Sequence, residues 1–235
     1  MATRASSPSS KLVIQRKARV AAILPILKKT YPDSKCRLNF RTPLQLLVAT
    51  ILSAQCTDDR VNIVTKDLFK KYKSARDFAA VPVEDLERDI QSTGFFRNKA
   101  KSIRAMAQSL LDEHGGEVPR SMEQLTGLAG VGRKTANVVL GNAFGIDVGI
   151  VVDTHVTRLS QRLELTRHTD AVKIEQDLIP LVPPEDWTLW AHLMISHGRA
   201  ICQARRPNCP QCQLLQDCPS GAVFIATDQA RTSKD

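Results

Sequence analysis

Apolar positions return every third or fourth residue through most of the chain, the spacing that gathers side chains onto one face of a helix. Lys11 to Lys29 reads as a basic amphipathic helix behind a short disordered tail, Met1–Ser10. Pro25 inside that run demands a kink or a later start, because it removes a helix hydrogen bond. Thr42-Pro43 opens a helix over Leu44–Leu52, with proline where a missing N–H costs nothing. Thr57-Asp58 opens another that runs to about Lys71, and Asn98 opens one that stops at Gly115-Gly116. Ser121 and Gln124 have capping-box spacing ahead of a short helix from about Met122 to Gly127. Asp153, Thr169 and Pro183-Pro184 stand before later helices, and only Asp147–Val152 has the composition of a strand. No repeat interrupts the pattern, so the expected fold class is all-α.

Charge narrows what such a protein meets. Lys and Arg number 33 against 24 Asp and Glu, for a net charge of +9 and a pI near 9.5. That balance favours an anionic partner, nucleic acid before an acidic membrane surface, although an ordinary basic enzyme carries it too. No stretch approaches the roughly 18 apolar residues of a membrane span, and no apolar leader opens the chain. The expectation is an intracellular, cytoplasmic protein. Of six cysteines, Cys36 and Cys56 stand alone and four crowd into Cys202–Cys218, which suggests metal and not a disulfide framework.

Three constellations carry chemistry. The first is Leu128-Ala-Gly-Val-Gly-Arg-Lys-Thr-Ala136, a short helix turning through Gly130-Val131-Gly132 into a second helix from about Arg133. Glycines permit the sharp turn and leave backbone amides open to a phosphate, whose charge the helix dipole favours. A helix-hairpin-helix works this way, gripping DNA backbone and not bases. Glycines at an ordinary helix–helix turn would look similar over a shorter string.

The second is Lys134 with Asp153. Lys134 falls in the first turn of the hairpin's second helix, where the positive dipole end disfavours the protonated amine and so favours a nucleophile. Asp153 follows the apolar run Gly149–Val152 and precedes Thr-His-Val-Thr-Arg. A solvated lysine and a simple N-cap aspartate are the plainer readings, and cap and catalytic roles can coexist on Asp153.

The third is Cys202-x6-Cys209-x2-Cys212-x5-Cys218. Structural zinc usually takes two Cys-x2-Cys knuckles, and this segment has one, so an iron–sulfur cluster is favoured while zinc stays open. Arg205 and Arg206 lie between the first two cysteines, in a loop able to hold guanidiniums against a phosphate or simply to solvate them.

Together, in this order, the three constellations resemble the endonuclease III family of DNA glycosylases, from about Ala18 to Pro219. The resemblance implies two all-α lobes with a DNA-binding cleft between them. A six-helix barrel with the helix-hairpin-helix would span 36–146; a cluster lobe would combine 1–35 with 147–235. It implies a [4Fe-4S] cluster on Cys202, Cys209, Cys212 and Cys218. Lys134 in Gly-Arg-Lys-Thr-Ala-Asn matches the Schiff-base lysine, and Asp153 in Val-Asp-Thr-His the catalytic aspartate. Gln55 in Leu-Ser-Ala-Gln-Cys-Thr-Asp matches a residue that fills the gap left by a flipped nucleotide. Phe95 matches a wedge in the base stack, and one of Phe95 and Phe96 is expected in the core. An aromatic wedge and a long Gly141–Val152 stretch depart from the family pattern and bear on base specificity.

The implied activity is a bifunctional glycosylase and AP lyase of base excision repair, acting as a monomer on double-stranded DNA with oxidised or ring-saturated pyrimidines or abasic sites. The implied chemistry is a lysine imine followed by β-elimination. Two alternatives stand beside it. An adenine-type mismatch glycosylase lacks the lysine and adds a C-terminal domain, whereas this chain ends shortly after Cys218. A DNA-binding or redox-sensing iron–sulfur module would have no catalysis.

Overall fold

The computed structural model describes residues 10–232, with side chains described for 11–227. The expected tail therefore lies, apart from Ser10, outside the described residues. Twelve α-helices, joined by short 3₁₀ turns and one π turn, and no strand make up those residues. The fold is all-α.

The chain divides into two compact units, Met1–Lys35 with Gly149–Asp235, and Cys36–Val148. The first unit opens with α1 (Ser10–Thr30), which buries Arg16, Val20, Ile23, Leu24 and Leu27 along one stripe. The helix begins at Ser10 and passes through an exposed Pro25, so the later start is not what forms.

The second unit runs through α2 (Pro43–Leu52), α3 (Asp58–Lys71), α4 (Ala75–Ala80), α5 (Val83–Ile90), α6 (Phe96–His114), α7 (Met122–Gly127) and α8 (Arg133–Val139). Thr42 and Thr57 cap α2 and α3 through their hydroxyls, as their sequence context requires. The core gathers on α6, where Ala100, Ile103, Met106, Ala107 and Leu110 are fully buried among Leu46, Leu52, Phe78, Leu86 and Ile90. Each of the Leu, Ile, Met and Phe side chains contributes on the order of 1.5–3 kcal/mol by leaving water.

One expected boundary shifts here. Helix α6 begins at Phe96 and not at Asn98, because Gly94 (φ 70°) and Phe95 (φ 49°) turn the chain into it through left-handed conformations. Ser121 caps α7, and the Gln124 side chain meets the Ser121 hydroxyl at 3.1 Å. A π turn over Leu140–Phe144 then extends α8.

The first unit resumes with α9 (Thr154–Arg162), α10 (Ala171–Leu178), α11 (Trp187–Ala200) and α12 (Gly221–Thr232). Asp147–Val152 is irregular and forms no strand; Ile150, Val151 and Val152 are apolar because they are buried, which a short run cannot distinguish from strand pairing. Asp170, not Thr169, caps α10, accepting from the Lys173 amide at 3.0 Å. Arg16 Nε donates to Glu164 O (3.0 Å) and Arg19 to Leu163 O (2.7 Å), so α1 supplies cations to the carbonyl end of α9. Lys28 pairs with Asp186 at 2.7 Å. No helix among the described residues is long and apolar enough to cross a membrane.

Candidate functional site

Helices α7 and α8 meet in the turn Leu128–Gly132, whose two glycines do different work. Gly130 has φ +75°, and a Cβ there would stand 2.8 Å from Cβ of Ser102 on α6, so both conformation and space require glycine. Between them Val131 is 5% exposed and anchors the turn in the core. Gly132 is extended (φ −91°), and a Cβ there would meet nothing within 4 Å. Nothing inside the protein demands glycine at 132. Its effect is to leave the start of α8, which has no side-chain cap, uncovered toward solvent. Lys134 is exposed in the first turn of that helix.

The same unit holds an open concavity bordered by Gln55, Phe95 and Gly130, with Asn98, Lys99 and Ser102. Gln55 (φ 53°) and Phe95 (φ 49°) are left-handed, a conformation costly for residues with a Cβ and concentrated at functional sites. Phe95 is 65% exposed, whereas Phe96 packs against the core, so the aromatic pair divides its work. Sequence reasoning missed Lys99 on this rim. It is buried and donates to Leu52 O and Thr93 O, both at 2.8 Å. No pattern signals it, because lysines are ordinarily assigned to the surface.

In the other unit, Asp153 follows the buried Ile150–Val152 segment and caps α9. Its Oδ1 accepts from the amides of both His155 and Val156 at 2.8 Å, and Oδ2 takes no part in the cap. The capping carboxylate therefore keeps one oxygen for other work.

Cys202, Cys209, Cys212 and Cys218 line a single cavity, walled by Leu159, Leu163, Ile201, Leu214 and Phe224 among others. No group of three or more His, Cys, Asp or Glu among the described residues gathers round a single-ion position. Burial first, and then the neighbouring Cys218, Cys202 and Cys209, push the Cys212 thiol up to about 11. Arg162 Nη1 lies 3.1 Å from Cys202 Sγ, and His197 Nε2 lies 3.5 Å from Cys212 Sγ.

Arg205 and Arg206 are exposed on the loop that follows Cys202. That loop is held by a second residue sequence reasoning missed. Arg162 donates to Gln203 O and Ala204 O, each at 2.8 Å, and stacks on Phe224. Its only sequence signal is a cation in the last turn of α9, where it can reach free carbonyls.

Comparison with known proteins bears on this geometry. The model for the HhH-GPD superfamily of base excision DNA repair proteins matches residues 48–184. The chain is 56% identical over 205 residues to endonuclease III of Synechocystis sp., covering 87% of this chain and 94% of that protein. It is similar to the solved structure of a non-covalent endonuclease III–DNA complex, with TM-score 0.85, 46% identity and coverage of 89% and 98%. A trapped endonuclease III–DNA covalent intermediate matches at TM-score 0.84 and 47% identity, with the same coverage. A superfamily model spanning more than half of the chain, and relatives this similar over most of their length, carry one conclusion: the chain belongs to the endonuclease III family of HhH-GPD base excision repair proteins, DNA glycosylases with AP lyase activity.

Proposed function

We propose that this enzyme removes oxidised or ring-saturated pyrimidines from double-stranded DNA and breaks the strand 3′ to the lesion, with Lys134 as nucleophile. The observation that carries the reading is the α7–α8 turn. Gly132 leaves the start of α8 uncovered, and an exposed amine stands in its first turn. Support also comes from 47% identity to a protein trapped in a covalent intermediate with DNA.

The amides around Gly130, Val131 and Gly132 take a backbone phosphate, Phe95 enters the base stack, and Gln55 fills the gap left by the flipped nucleotide. Lys134 Nζ, as the free amine, bonds to the deoxyribose C1′. The glycosidic bond breaks and the base leaves with its electron pair, taking up a proton. The Asp153 carboxylate, through Oδ2, stabilises positive charge that develops on the sugar. Ring opening leaves an imine between Lys134 and C1′. Loss of a C2′ proton then expels the 3′ phosphate, and hydrolysis frees the lysine. One protein molecule acts on each lesion.

Cys202, Cys209, Cys212 and Cys218 fit a [4Fe-4S] cluster: four thiols line one mainly apolar cavity, and their unequal spacing lacks the paired Cys-x2-Cys knuckles of structural zinc. When bound, such a cluster supplies a structural and redox centre, and it stands outside the bond-making steps. The fixed loop beyond Cys202 holds Arg205 and Arg206 for phosphate contacts. Ser substitution at any of the four should cost iron and soluble yield together, whereas Cys36→Ser and Cys56→Ser should keep iron content intact. Stoichiometric zinc in anaerobically prepared protein would defeat the cluster assignment.

Three oligonucleotide duplexes test the activity: one with a ring-saturated pyrimidine, one with an abasic site, one with adenine opposite oxidised guanine. The enzyme should incise the first two and leave the third. Adenine release without incision would favour the mismatch-glycosylase reading. Binding with no reaction would favour a non-catalytic module.

A further inference from the structure

Lysine is almost never fully buried unless paired, because desolvating an ammonium is costly. Lys99 is 5% exposed, and both acceptors of its Nζ are backbone carbonyls. Burial pulls its ammonium below the ordinary lysine range. The carbonyls belong to two separate turns. Leu52 O, at the C-terminal end of α2, is one a helix leaves without an internal partner. It lies three residues before the left-handed Gln55. Thr93 O belongs to the last residue of a 3₁₀ turn, two residues before the left-handed Phe95. The Lys99 backbone N–H also donates to Phe95 O, at 3.1 Å. One residue thus grips both turns, and Lys99 lines the concavity bordered by Gln55 and Phe95.

We infer that Lys99 is a positioning residue of the lesion site, a buried tie that fixes the spacing between Gln55 and Phe95 as they enter the duplex. This rests on the insertion roles given above to those two side chains. A methionine of similar volume would fill the space but leave both carbonyls without their donor. The two strained turns would then lose their common anchor and the chain would hold an opened duplex less well. Lys99 touches neither the sugar nor Lys134 in this scheme, so imine chemistry that needs no opened duplex should not depend on it.

Lys99→Met is compared with the parent chain on two substrates, a damaged duplex and a single-stranded abasic oligonucleotide. Base removal from duplex should slow by about tenfold or more, while borohydride trapping on the single strand stays within about threefold. Lys99→Arg, which restores donors for both carbonyls, should recover most of the duplex rate. In a chain already carrying Gln55→Ala and Phe95→Ala, Lys99→Met should add less than about threefold, since coupled residues are not additive. A general structural role would predict equal losses on both substrates, or full additivity, and either result overturns the proposal. Should Lys99→Met not fold, Lys99→Gln, whose amide stops one bond short of the lysine nitrogen and so cannot span both carbonyls, should show the same duplex-specific loss, and equal losses on both substrates there overturn the proposal in the same way. Losses from Gln55→Ala with Phe95→Ala that are equal on both substrates would remove the insertion roles and this proposal with them. A duplex-specific loss there, with none from Lys99→Met, would overturn the positioning role alone.

Discussion

Gly130 and Gly132 are two residues apart and alike in sequence, yet their surroundings differ. Alanine at 130 meets a left-handed backbone and Ser102 together. It should destabilise the fold by about 1–3 kcal/mol, read as a lower Tm, with DNA binding falling as the turn distorts. Alanine at 132 meets open space, so stability should stay within about 1 kcal/mol. Its Cβ would project into the space proposed for a backbone phosphate, and duplex affinity should still fall several-fold. Equal Tm losses in the two variants would contradict this division. The Gly-x-Gly pattern was legible in the sequence, but its two reasons were not, because Ser102 is remote along the chain. Lys99 was illegible for the same reason: its acceptors are carbonyls, which no side-chain pattern records.

Among the elements, those with an overt start signal were readable. Thr42-Pro43, Thr57 and Asp153 each place a side-chain oxygen on helix amides, an interaction local enough to read from a few residues. The start of α6 was not readable, since the chain enters it through left-handed Gly94 and Phe95, a conformation no side-chain pattern announces at Phe95, and Asn98 resembles a cap without acting as one. Ile150–Val152 looked strand-like because burial alone selects the same residues as a strand. Helix α11 carries a pH signature. Burial lowers the proton affinity of His192 from its ordinary value, and of His197 to a pKa of about 4. As pH falls below about 6.5 the unfolded chain takes up protons that the folded chain refuses, so stability is present above that value and lost below it. Tm should therefore fall between pH 7 and pH 5, and His192→Gln should flatten part of the slope. An unchanged slope would assign the loss to other groups.

At the scale of the whole molecule, the net charge of +9 gives a long-range attraction to any polyanion, while the proposed contacts are local. Arg205→Ala with Arg206→Ala should weaken binding to damaged and undamaged duplex alike and flatten the dependence of log Kd on log salt by roughly two counterions. An unchanged salt slope would remove that loop from the interface. Charge alone does not separate binding from chemistry, which is proposed to rest on the exposed amine of Lys134 as nucleophile. Borohydride reduction during reaction with a damaged oligonucleotide tests it most directly, because only an imine becomes a permanent protein–DNA bond. The parent chain should trap. Lys134→Gln, with similar reach and no amine, should lose trapping and strand cleavage together while binding survives within roughly tenfold. A covalent adduct that persists undiminished in Lys134→Gln would contradict the assignment and place the imine on another amine.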